Sequence, residues 1–104
     1  MHYVVLGAHS PEVCPTSNAK TRSLLLEMAP LIPKIAEQNS VTIVAGPFVN
    51  REHTTVVIVE AERAENLDEF LNQTRLAQWN RLHIIPSLHL SEGIRDVEAE
   101  NSLF

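Results

Sequence analysis

The sequence predicts an α+β domain in which four antiparallel strands form one layer and two helical segments pack against it. Three observations predict it. Four short runs are apolar and rich in β-branched residues, each of a length that suits a strand. Two other stretches repeat their apolar residues at three- and four-residue spacing, the period of a helix with one buried face. The chain of 104 residues suits one compact core, and 44% of it is apolar.

The first strand is expected over His2 to His9, His2-Tyr3-Val4-Val5-Leu6-Gly7-Ala8-His9. A proline-punctuated loop follows, with Thr16 or Ser17 placed to cap the first helix. That helix runs from Ser17 to about Asn39, where Leu24, Leu25, Met28, Leu31, Ile32, Ile35 and Ala36 keep helical spacing. Pro30 and Pro33 each remove a backbone donor, so a kink or break is expected near Met28 to Pro30. Val41 to Val49 reads as the second strand, with a bulge or bend at Gly46-Pro47. His53 to Ala61 is the third, joined to the second by the turn Asn50-Arg51-Glu52. The second helix spans Glu65 to Trp79, with Leu67, Phe70, Leu71, Leu76 and Trp79 facing inward. Leu82 to Leu90 is the last strand. Residues 1–90 thus form the domain, and residues 91–104 an acidic tail that either adds a short helix, docks on a partner or stays loose.

The order β-α-β-β-α-β is the ferredoxin-like arrangement, whose four-stranded sheet usually has the order 4-1-3-2. Helices cover only one sheet face. In His53 to Ala61, Val57 and Val59 point one way while Val56 and Ile58 point the other. The second apolar face calls for a partner sheet, and a symmetric homodimer is the economical solution. The element order over residues 2–90, the hairpin Val49-Asn50-Arg51-Glu52-His53 and the strand-to-helix passage from Val57 to Leu67 resemble the dimeric α/β-barrel superfamily. The resemblance is architectural. It implies two subunits closing into a barrel, in a group that includes cofactor-free monooxygenases, isomerases and haem-handling enzymes, so it constrains shape more than chemistry.

Acidic residues outnumber basic ones, 13 to 8, for a net charge of −5. That argues against a nucleic-acid partner. No apolar run is long enough to span a membrane. The first residues lack a basic stretch and a small-residue cleavage site, and a single cysteine forms no intrachain disulfide, so a cytoplasmic location is expected. No glycine-rich phosphate loop, Gly-x-Ser-x-Gly or His-Glu-x-x-His stretch is present.

The most informative segment is His9-Ser10-Pro11-Glu12-Val13-Cys14-Pro15-Thr16-Ser17-Asn18. A thiol just ahead of a helix is favoured as thiolate. Sulfur and imidazole together suit Zn²⁺ or copper. The expected role is to bind a small molecule or a soft metal ion in a pocket between helices and sheet; the metal set expected is His9, Cys14 and His83, completed by Glu12, Glu60, water or a second subunit. The catalytic alternative is a small oxygenase- or isomerase-type enzyme in which Cys14 is the nucleophile or redox thiol, His9 its base, and Glu60 an acid or base. The structural alternative makes Cys14 a small buried hydrophobe, in a chain whose role is dimerisation alone. These expectations assume that strands 1 and 3 run parallel, which sends Glu60 toward Cys14 and His53 to the far edge, and that strand 4 runs antiparallel to strand 1, which brings His83 beside the end of strand 1. They also pair His9 with His83, and Tyr3 with His89, on one face.

Overall fold

The computed structural model describes residues 1–99. Strand β1 spans His2–Ala8, followed by α1 (Ala19–Met28), a 3-10 turn (Ala29–Leu31) and α2 (Ile32–Gln38). The hairpin β2 (Thr42–Val49) and β3 (Thr54–Glu60) comes next, then α3 (Ala64–Gln73), α4 (Leu76–Trp79), β4 (Arg81–Ser87) and α5 (Leu90–Glu98). The sheet order is β2-β3-β1-β4, the mirror listing of 4-1-3-2, so the ferredoxin-like topology holds.

The breaks fall where backbone chemistry demands them. The Asn18 side chain, rather than Thr16 or Ser17, caps α1 by accepting from the Thr21 N–H. Pro30 and Pro33 divide the first helical segment, each sitting in the first turn of the piece it begins, where its missing N–H costs nothing. The second segment also divides. The Thr74 hydroxyl donates to the Phe70 carbonyl at 2.8 Å, and Arg75 then turns left-handed at φ 67°. In β2 the pairing with β3 shifts register on both sides of Ala45, around Gly46-Pro47. Gly46 has φ 89°, and a Cβ there would lie 2.6 Å from the Val56 carbonyl oxygen, so only glycine fits.

The strands sort residues onto two faces. Tyr3 and Val5 on β1, with Val57 and Val59 on β3, are buried beneath the helices against Leu67, Phe70 and Leu71. Phe70 is fully buried, and truncating it would cost about 3–5 kcal/mol. The opposite face carries Val4, Leu6, Val56, Ile58 and Ile85, half-buried or exposed, with Phe48 exposed beside them. The tail begins as α5, whose Leu90, Ile94 and Val97 form one exposed stripe. Residues 100–104 of the tail lie outside the described residues.

One expectation is corrected by the pairing. β1 and β3 are antiparallel, with His2 opposite Glu60 and Ala8 opposite Thr54. The helical crossover returns the chain so that β2 runs in the direction of β1, and the hairpin then reverses it. The end of β1 therefore meets the beginning of β3, and Glu60 is carried to the far end of the sheet.

Candidate metal centre

The centre forms where β1 runs out. Tyr3, Val5 and Gly7 face the helices, so His9, one step past β1, continues on that face. Its N–H donates to the His53 carbonyl at 3.1 Å, extending the β1–β3 ladder by one residue. The β1–β4 register pairs Ala8 with Arg81, and its next step sets His9 beside Asn80.

Asn80 decides which His9 nitrogen is bare. Its side-chain N–H donates to the Leu76 carbonyl at 3.2 Å, which turns Oδ1 toward His9 Nδ1 at 3.1 Å. An amide oxygen only accepts, so Nδ1 carries the hydrogen and Nε2 presents a lone pair. Nε2 is buried and has no hydrogen-bond partner. Gly7 makes room for this arrangement, because a Cβ there would lie 3.1 Å from Asn80 Cβ, Cγ and Oδ1. The Trp79 ring backs His9 with a centroid distance of 5.0 Å.

His53 arrives from the hairpin. Asn50 Oδ1 accepts from the N–H groups of Glu52 and Thr54, tying the turn. His53 takes the left-handed conformation at φ 59°, uncommon for non-glycine residues but one in which histidine is enriched. Its ring meets His9 edge to face, centroids 5.4 Å apart, and its Nδ1 is likewise buried without a partner. Two orphaned imidazole nitrogens thus lie in one place, each costing about 1–3 kcal/mol in unmet hydrogen bonding.

Cys14 comes from the loop, which is folded into consecutive turns. The Cys14 N–H donates to the Pro11 carbonyl, and the Cys14 carbonyl accepts from Ser17 and Asn18. Ser17 Oγ also donates to the Pro11 carbonyl. Arg22, from α1, reaches back to the carbonyls of Pro15 and Thr16. Cys14 is 8% exposed. Its Sγ lies 3.0 Å from Thr16 Oγ1. The Thr16 hydroxyl and then the Thr16 backbone hold the thiol below its ordinary range, burial opposes them, and His53 adds a smaller push toward the thiolate.

The ligand atoms of His9, Cys14 and His53 all lie within 4.8 Å of one another. A tetrahedral ion with ordinary Zn–N and Zn–S bonds holds its donors about 3.3–3.6 Å apart. Closing the set thus takes side-chain shifts of about an ångström, small for rings turning on χ angles.

His9 and Cys14, expected together from the sequence, are together. His83 and Glu60 are not with them. His83 pairs with Leu6 on the open face. β4 starts directly after α4, which sets Asn80 rather than His83 opposite His9, a slip of three positions (83 − 80), and an odd slip turns a side chain to the other face. The same shift puts Pro86, not His89, opposite Tyr3. Glu60 sits 3.7 Å from His2 at the far end of the sheet. Glu12 stands in the loop but outside the ligand group. The residues missed were His53, Asn80 and Thr16. The available signal for His53 was the helical crossover followed by an antiparallel hairpin, which together put the start of the third strand beside the end of the first.

Among the described residues, no helix is long and apolar enough to cross a membrane. Compared with known proteins, the chain matches no protein-family model and no curated protein.

Proposed function

We propose that this protein binds a soft transition-metal ion, zinc or copper, through His9 Nε2, Cys14 Sγ and His53 Nδ1. The observation that carries the reading is the gathering of ligand atoms of His9, Cys14 and His53 within 4.8 Å, together with a buried, unpartnered nitrogen on each imidazole. An ion would satisfy both nitrogens and favour the thiolate. Asn80 supports the reading as the outer partner that fixes a ligating imidazole. Cobalt(II) tests it. The full chain should bind one equivalent with a sulfur-to-cobalt charge-transfer band, and Cys14→Ser should abolish the band. A spectrum unchanged by that substitution refutes the reading.

The lowered thiol pKa supports a second reading, in which Cys14 is a nucleophile assisted by His53 or His9 in a small enzyme. Thiol alkylation no faster than that of a free cysteine at neutral pH counts against it. A free thiol of this kind suits a reducing compartment such as the cytoplasm.

The open sheet face and the α5 stripe support a homodimer. The described chain measures 52 × 29 × 18 Å, with both apolar surfaces uncovered. The open face of four short strands offers only about 450 Å² by strand spacing, against about 800 Å² per partner for a stable interface. The α5 stripe supplies further area in the same chain, so a second copy is the occupant that matches both surfaces. Light scattering should give twice 11.6 kDa, and Ile58→Glu should halve the mass. A monomeric parent chain refutes the homodimer.

A further inference from the structure

We infer that the His9–Cys14–His53 centre is built for monovalent copper held by three protein donors, an inference that rests on the metal-binding reading above. Charge is the first argument. The donor set supplies one negative charge, from the Cys14 thiolate, and two neutral imidazoles. Among the described residues no carboxylate joins the group. The side chains hydrogen-bonded to the set, Asn80 on His9 and Thr16 on Cys14, are neutral. A divalent ion would leave a net positive charge beside nitrogens that are shut off from water, and such a charge is costly without a counter-ion. A monovalent ion closes the set at zero.

Donor number is the second argument. Three ligand atoms converge, and no fourth His, Cys, Asp or Glu among the described residues lies within the same 4.8 Å limit. Zinc in a three-ligand site adds water or another exogenous donor as its fourth. Copper(I) is soft, favours thiolate and is satisfied by three donors. The surroundings suit a site without added solvent: Trp79 backs His9, and Cys14 is closed over by its own loop. On binding, the Cu–S bond forms as the thiol proton leaves to solvent, and no electron is transferred.

The test uses the full chain under anaerobic conditions, with copper(I) supplied in competition with a chromophoric copper(I) chelator. X-ray absorption then reads the coordination shell. The expected result is one copper bound by one sulfur and two nitrogens, with affinity falling at least about a hundredfold in Cys14→Ser and in His53→Asn. Asparagine tolerates the left-handed backbone, so the second variant keeps the turn should the first perturb the loop. Zinc(II) binding should strengthen when azide or thiocyanate is added, because the anion supplies the missing charge and donor. Four-coordinate copper, or zinc binding that is tight and indifferent to added anions, overturns the copper(I) inference while leaving a Cys14-dependent metal site. Failure of copper(I), zinc(II) and cobalt(II) alike to bind through Cys14 overturns the metal reading itself.

Discussion

Replacing His53 with asparagine should make the metal-free protein more stable while removing its response to metal. His53 is a non-glycine residue at φ 59°, a region where histidine is itself enriched and asparagine is tolerated at least as well, so relief of backbone strain adds only about a few tenths of a kcal/mol. Its Nδ1 is buried and unpartnered, which adds about 1–3 kcal/mol of unmet hydrogen bonding. Against these, the variant loses the edge-to-face contact with His9, worth about 0.5–1.5 kcal/mol, and asparagine brings polar atoms of its own. The balance favours the variant by about 1 kcal/mol, which for a chain of this length raises Tm by about 4–8 °C. Thermal unfolding followed by circular dichroism, with chelator present, reads the first effect. Repeating the scan with zinc(II) or copper(I) at a hundred times its Kd reads the second. The parent chain should then gain about 2.7 kcal/mol and the variant nothing. A chelated variant that melts below the parent would make His53 a satisfied structural residue. A variant that still gains stability from metal would remove it from the ligand set. Either result refutes the reasoning.

Asn80→Ala should lower metal affinity about 10- to 100-fold by freeing the His9 tautomer, measured by chelator competition, with a stability loss of about 1–2 kcal/mol by urea unfolding. Thr16→Val should move the midpoint of Cys14 alkylation against pH upward, since the Thr16 hydroxyl is the largest influence holding it down. Because the folded thiol ionises below the unfolded one, the parent's stability from this group is fully present above the unfolded pKa and is lost as pH falls through the folded value; Thr16→Val should flatten that slope in urea titrations across the interval. His83→Ala should leave metal affinity unchanged in the same competition assay, because His83 lies on the other sheet face.

The elements were largely legible because their signals are local. Alternating Val56 to Val59 predicted a strand with two apolar faces, and the inward stripe from Leu67 to Trp79 predicted residues that are all buried. Pro30 and Pro33 announced the break between α1 and α2. The cleft between α3 and α4 was less visible, because Thr74 and Arg75 carry no helix-breaking chemistry and the break is made by a hydroxyl turned onto the backbone. The centre was half legible. His9 and Cys14 share a loop, so short-range reading finds them. His53 and Asn80 reach the same point through long-range pairing, and there a wrong strand direction or an odd register slip sends a residue to another edge or another face. His83 and Glu60 were drawn in by those two errors.

The sulfur and the two rings belong to different parts of the molecule. Cys14 rides on the crossover that Arg22 and Asn18 fasten to α1, whereas His9 and His53 are extensions of the sheet. An ion seated among them would act as a rivet between the two layers. Loading the protein would then slow the breathing of the entire crossover, and backbone amides from Val13 to Arg22 would report it through slower exchange with deuterated solvent.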